Sequence, residues 1–338
     1  MKQYSHSSVE LFNLCGRRFQ LQRIEKWQSP RLPSALFFGS ALDEAFGHLL
    51  CTKKEILTDE ELTLQLTKTA EEVFLENMLI VNGVDKKPVE MPQSLLADYF
   101  VSDFTPELLT DDAIVSLQQL EPHYKLVDFV DFHQQCREQL KGKHKVYDGD
   151  LQLYNYMTWL TLVEKGKLMI NAYRNEVMPL IHRVESIQER ISIKNDDGDE
   201  IRGLIDFRAS FVDSPSQIYT MDNKSSSKPY PENATKESLQ LATYCEAVGD
   251  THAGFAVVEK KVFKRGPQIR VTVQKDVIPE ETMQKAFDRF EKTVYNVQAG
   301  YFPENRDSCY AFGKRCEYYR VCHGGDYSGL VNLNKEVL

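Results

Sequence analysis

Apolar positions recur at helical spacing over residues 7–27, where Leu11, Leu14, Phe19 and Leu21 mark one side and Ser7 or Ser8 stands as the cap. A loop carrying Pro30 and Pro33 follows, and a second helix starts near Gly39. From residue 52 to about 178 the pattern is mainly helical with acidic patches, broken around Pro88, Pro92, Pro106 and Pro122. Its longest helix is LYNYMTWLTLVEKGKLMINAYRNEVMPLI. Near residue 183 the period falls to two. RVESIQERISIK, EIRGLIDFRASFV and SQIYTMDNK read as three strands, the first two joined by the turn NDDGD. KESLQLATYCEAVG is a helix ended by Gly249, AGFAVVEKKVFK and QIRVTVQK are two more strands, and a closing helix runs between Pro279 and Gly300. This order predicts an α/β (α+β) fold, a mixed sheet flanked by helices. The divisions are N-terminal helices over 1–51, a large helical insertion or subdomain over 52–180, a core of sheet and helices over 181–300, and a cysteine-rich tail over 301–338.

Composition adds limits. The chain has 338 residues, 42% hydrophobic and 27% charged, enough to bury a sizeable core and too apolar for general disorder. No apolar run reaches the length of a membrane span, and the N-terminus lacks the apolar core of a secretory signal, so a cytoplasmic protein is expected. A net charge of -9 argues against non-specific wrapping of nucleic acid but leaves room for a local basic groove. Of the seven cysteines, Cys15, Cys51, Cys136 and Cys245 are scattered, whereas Cys309, Cys316 and Cys322 crowd together. An odd count in a cytosolic chain speaks against a disulfide framework.

Strand alternation places Ile201, Gly203, Ile205 and Phe207 on one face and Leu204, Asp206 and Arg208 on the other. On the next strand Ile218, Thr220, Asp222 and Lys224 share a face. If the two strands pair through VDSPSQ, Asp206 and Asp222 lie side by side, where two carboxylates repel unless a cation sits between them. Mg²⁺ suits such a pair, and Lys224 would stand within reach of the metal's water and of the phosphate. A surface ion pair is the plainer account of Asp222 and Lys224. Gly203 removes a side chain where a substrate backbone can approach. Gln240 and Tyr244, four apart, project from one helical face toward a phosphate or base, or form a buried hydrogen-bonded pair.

These pieces resemble the PD-(D/E)XK nuclease superfamily, in particular its RecB-like iron–sulfur branch of AddB-type nuclease domains, CRISPR adaptation exonucleases and phage exonucleases. The resemblance rests on GLID with Asp206, DNK with Asp222 and Lys224, and QLATY with Gln240 and Tyr244, in family order. It extends to SSVELFNLCGRRF and FFGSALDEAF near the N-terminus. It implies a restriction-endonuclease-like fold and a metal-dependent DNA exonuclease. Asp206 and Asp222 would hold Mg²⁺ or Mn²⁺, Lys224 would orient or activate the attacking water, and Gln240 and Tyr244 would contact DNA or support the site. Where the branch usually carries a histidine ligand this chain has Asp43, with Glu44 as its rival and His48 structural; a carboxylate suits a hard ion.

CYAFGKRCEYYRVC spaces its cysteines as C-x6-C-x5-C, with Cys15 distant. By count, Cys15, Cys309, Cys316 and Cys322 could hold a [4Fe–4S] cluster or Zn²⁺, with His323 as a substitute ligand. The resemblance implies the cluster, as a structural staple between the ends of the chain. Arg17, Arg18, Lys228, Lys260, Lys261, Lys264 and Arg265 are candidate phosphate contacts, with Ser225, Ser226 and Ser227 as donors. Expected partners are single-stranded DNA or duplex ends, and a helicase, an annealing protein, a CRISPR integrase or another recombination factor. Two rival readings stand beside this one: a non-catalytic DNA-binding or scaffold subunit of the same fold, and a zinc-stabilised helical interaction protein.

Overall fold

Strand formation begins where the two-residue period begins. In the computed structural model, which describes residues 3–28, 34–80, 151–263, 265–313, 315–328 and 330–332, strand β3 (Ile181–Lys194) turns at Asn195–Asp199 into β4 (Glu200–Phe211). Gly198, at φ 79°, takes the left-handed turn position that suits a residue without Cβ. A short hairpin leads to β5 (Ser214–Ser226), which starts earlier than expected and absorbs most of VDSPSQ. The expected breaks at Pro88, Pro92, Pro106 and Pro122, together with Cys136 and Lys264, lie outside the described residues.

Before the sheet come β1 (Gln3–Ser5), α1 (His6–Leu14), α2 (Gly16–Phe19), a π-helical turn over Gln20–Ile24, and β2 (Trp27–Gln28). The cap of α1 is Ser5 rather than Ser7 or Ser8: the Ser8 N–H donates to Ser5 Oγ at 3.1 Å, and the Ser5 N–H donates to Ser8 Oγ at 2.8 Å. The single helix expected over 7–27 breaks at Cys15, whose backbone is extended. Helix α3 (Ser34–Cys51) starts before Gly39; α4 (Asp59–Thr67), α5 (Ala70–Ile80) and α6 (Leu151–Glu176) follow. After β5 come α7 (Ala234–Glu237) and α8 (Leu239–Val248), which ends on Gly249 in the left-handed region. Then come β6 (His252–Glu259), β7 (Val271–Val277), α9 (Glu280–Gln298), α10 (Tyr319–Gly324) and β8 (Val331–Asn332). Strand β6 stops at Glu259, before the end of the strand expected over AGFAVVEKKVFK.

The sheet order is β1-β4-β5-β6-β7, with β3 on the other edge of β4. Pairs β3–β4, β4–β5 and β6–β7 are antiparallel, while β1–β4 and β5–β6 are parallel. Helices α3, α5 and α6 cover one face, where Phe46, Phe74 and Tyr173 pack with Phe207, Phe211, Met221 and Val258. Residues on both sides of position 180 thus share one core. Helix α8 covers the other face through Leu241 and Cys245 against Ile205, Phe255 and Val257, and α9 joins it through Ala286.

The four residues expected on one face of β4 are divided: Ile201 packs with Tyr4 and Phe290, Ile205 with Leu241, and Phe207 with Phe46. Across from this change of face, between Ile187 and Glu189 of β3, stands Gln188, a non-glycine residue at φ 49°.

Gly254 is required by close approach. A Cβ there would lie 2.2 Å from the Gln274 carbonyl oxygen and 2.9 Å from the Met221 side chain. We expect Gly254→Ala to part β6 from β7 and cost about 3 kcal/mol, read as a lower urea midpoint. An unchanged midpoint would show that the strands do not approach this closely.

Candidate active site

The site lies where strands separate. Both β1 and β5 use the same edge of β4, β1 at Glu200–Arg202 and β5 from Phe207 onward. Between them the edge from Gly203 to Asp206 faces neither strand. Extending the register Phe207↔Met221 by one residue sets Asp206 opposite Asp222. There β5 leaves β4 and continues beside β6, pairing Asp222 with Phe255 and Lys224 with Val257. The Asn223 N–H, freed from the β4 ladder, donates to Asp206 Oδ2 at 2.6 Å.

Asp222 is almost completely buried and Lys224 partly so, and the Lys224 ammonium meets Asp222 Oδ2. Asp222 Oδ1 accepts from Gln240 Nε2 at 3.0 Å, and that nitrogen also donates to the Tyr244 hydroxyl at 2.9 Å. The structure therefore brings Asp206, Asp222, Lys224, Gln240 and Tyr244 together. Tyr244 fills the space beside Gly203, whose Cβ would lie 2.7 Å from the tyrosine ring. That glycine makes room for Tyr244, not for a substrate backbone.

Asp43 enters from α3. Burial, reinforced by the Asp222 carboxylate, pushes its carboxyl up to about 7, with Glu44 adding to the rise and Lys224 opposing it. Burial and the Asp222 and Asp43 charges hold Asp206 well above the usual carboxylate range. Burial also raises Asp222, against the pull of Lys224. For Lys224 burial works against the charge, but Asp222 and Asp206 outweigh it and strengthen its hold on the proton. Three carboxylates and one ammonium thus sense one another. His48 of α3 is buried, which lowers its proton affinity.

Among the described residues no group of three or more His, Cys, Asp and Glu side chains stands ready to hold a metal ion. The donor chemistry still suits a hard divalent cation. Asp43, Asp206 and Asp222 offer oxygen ligands, their crowded charges favour a cation, and Asp222 Oδ2 is buried with no hydrogen-bond donor beyond the Lys224 ion pair.

The cysteines lie where the chain ends meet. Burial and Glu304 push Cys322 up to about 11, with smaller contributions from Cys316 and Cys15. Burial also raises Cys316, and Cys309 adds to it; the Cys316 N–H donates to the Cys309 carbonyl at 2.7 Å. All four are unpaired thiols. Around them β2 pairs with β8, the Tyr318 hydroxyl donates to the Trp27 carbonyl at 2.8 Å, and Gly16 packs against Pro303. Of the expected phosphate contacts, Arg17 binds Gln20 and Glu25 within its own segment, and Arg18 binds Glu317 across the junction. His323 packs tilted against Tyr319.

Sequence reasoning passed over Tyr173 and Asn223. Asn223 stood between two flagged residues. Tyr173 carried no spacing signal, because only the packing of α6 on the sheet brings its hydroxyl to 3.1 Å from Asn223 Oδ1.

The site thus sits on a mixed sheet that forks at two aspartates and carries helices on both faces. The family model for the PD-(D/E)XK nuclease superfamily matches residues 116–323, and the chain belongs to that superfamily. Membership implies a metal-dependent nuclease with DNA as its substrate. No curated protein matches the chain. It is similar to a solved structure titled "Crystal structure of SSO0001" at 14% identity, covering 59% of this chain and 98% of that chain with a TM-score of 0.30, too slight a likeness to argue from. None of the described helices is long and apolar enough to cross a membrane.

Proposed function

We propose that the protein is a Mg²⁺- or Mn²⁺-dependent DNA exonuclease of the RecB-like branch, hydrolysing phosphodiester bonds during recombination, repair or phage DNA processing. The reading is carried by one observation: Asp222 is buried between Lys224 and Gln240, opposite Asp206 at the parting of β4 and β5. A surface ion pair has no need of such burial or of a second carboxylate.

Asp206, Asp222 and Asp43 would hold the metal. When bound, the metal supplies positive charge at the scissile phosphate and acidifies a water nucleophile. Gln240 fixes Asp222 through Oδ1, and Tyr244 holds Gln240 in place. Lys224 presents its ammonium where negative charge grows as water adds to phosphorus and one ester P–O bond breaks.

Cys15, Cys309, Cys316 and Cys322 would hold a [4Fe–4S] cluster, as the resemblance implies, although among the described residues they do not stand grouped as a ready-made metal site. The cluster would tie α2 to the tail, with Zn²⁺ as the other occupant of the same thiolates. Partners would be DNA ends and a helicase or annealing protein, in the cytoplasm.

The test is cleavage of end-labelled single- and double-stranded DNA, linear and covalently closed, with Mg²⁺, Mn²⁺ or chelator. We expect metal-dependent loss of linear DNA and survival of closed circles. Circles cut as fast as linear DNA would rule out the exonuclease, and binding without cleavage in either metal would favour the scaffold reading. Iron and sulfide analysis with the visible spectrum decides the second point: a colourless zinc protein purified anaerobically would exclude the cluster.

A further inference from the structure

The core between α3, α6 and β5 contains a polar chain that the catalytic assignment does not use. Tyr173 of α6 is completely buried, and its ring lies flat on Phe46 of α3, with centroids 4.1 Å apart and planes inclined by 11°. Phe46 stands one helical turn after Asp43. The Tyr173 hydroxyl donates to Asn223 Oδ1 at 3.1 Å, and the Asn223 N–H donates to Asp206 Oδ2 at 2.6 Å. Asn223 is itself buried. One side chain therefore touches the helix that carries Asp43 and the strand residue that orients Asp206.

We propose that Tyr173 is a positioning residue for the metal-binding carboxylates, setting the distance of Asp43 from Asp206 through its stack on Phe46 and its hydrogen bond to Asn223. The proposal rests on the assignment of these aspartates to metal. Three physical points carry it. Unlike the buried Tyr4 hydroxyl, which has no partner, the Tyr173 hydroxyl makes a hydrogen bond, and it ends on the residue that binds Asp206. Stacked rings and a buried hydrogen bond fix both angle and distance, which an aliphatic contact does not. Burial, reinforced by the Asp206 and Asp43 charges, strengthens the phenol's hold on its proton, so the hydroxyl remains the donor to Asn223. Helix α6, outside the quoted nuclease motifs, thus supplies part of the site's geometry.

The experiment measures Mn²⁺ binding by the paramagnetic resonance signal of the free ion, beside DNA cleavage and thermal unfolding, in wild type, Tyr173→Phe, Asn223→Ala, the double variant and Asp222→Ala. Tyr173→Phe keeps the ring and its stack and deletes only the oxygen. We expect it to weaken Mn²⁺ binding about tenfold, with cleavage restored by excess metal. Asn223→Ala should weaken binding similarly, and the double variant no further than either single change, because both cut one chain. Wild-type affinity in Tyr173→Phe, or additive losses in the double variant, overturns the positioning role. If Tyr173→Phe does not fold, Asn223→Ala alone decides, by the same loss or its absence. Wild type that binds no Mn²⁺, or Asp222→Ala that binds as wild type does, overturns the metal assignment and the positioning role with it. Loss in Asp222→Ala with none in Tyr173→Phe overturns the positioning role alone.

Discussion

Replacing Lys224 with methionine lowers DNA cleavage at saturating Mn²⁺ by about a thousand-fold, while Mn²⁺ still binds. Methionine keeps most of the stem and removes the ammonium. In the folded protein that ammonium faces Asp222 Oδ2, and both Asp222 and Asp206 favour its charged form. If its role were to complete a structural ion pair, the metal-bound variant would keep its rate, since a divalent cation at Asp222 replaces the lost charge. If it stabilises charge developing on phosphorus, the rate falls and metal binding does not. The comparison with Asp222→Ala separates the two roles: that variant loses cleavage together with Mn²⁺ binding. A Lys224→Met protein that cleaves within about tenfold of wild type removes Lys224 from the chemistry.

The metal-free protein is expected to lose stability as pH rises from about 5 to about 8, opposite to ordinary acid denaturation. Asp43 is the reason. Its carboxyl is pushed from 3.8 to about 7 by burial and by Asp222. Below 3.8 both folded and unfolded chains hold the proton. Between the two values only the folded chain does, so each rise in pH favours unfolding until the folded carboxyl also ionises. The limit is about 4 kcal/mol, and the raised Asp206 and Asp222 act in the same direction. Carboxylates held below their ordinary range, such as Glu61 and Asp213, give the opposite slope, spent by about pH 5, and His6 and His48, whose proton affinity burial lowers, oppose the fall up to about pH 6.5. Asp43→Asn should flatten the fall, and Mn²⁺ should reverse it in wild type. The measurement is urea unfolding at about pH 5.5 and about pH 8. Equal slopes in wild type and Asp43→Asn would show that Asp43 does not ionise within the cluster.

The sheet was legible because the change of hydrophobic period near residue 183 coincides with the start of β3, and because NDDGD could only be a turn. The meeting of Asp206 with Asp222 was legible for the same reason, since alternation and a short connection fix register. What failed was face assignment along β4. Alternation assumes a regular strand, whereas Ile205 and Phe207, two residues apart, pack into different cores. Strand β1 was invisible because three residues carry no period, and its partner in β4 lies far along the chain. Gly203 was misread because its neighbour, Tyr244, arrives from another element. Tyr173 was missed for the same kind of reason.

The junction of the chain ends bears on how the protein is made. The hydrogen bond between Tyr318 and the Trp27 carbonyl spans 291 residues, and β1 needs β4 before it can pair. During synthesis the first helices leave the ribosome long before their partners exist, so they wait unpaired while the later segments are translated. The edge of β4 beside Asp206 gains its β1 flank only after Glu200–Arg202 has been translated. A nascent chain stopped before residue 300 therefore carries every proposed catalytic residue and the face of α9 on which α1 packs, but lacks Tyr318 and β8, the partners of Trp27.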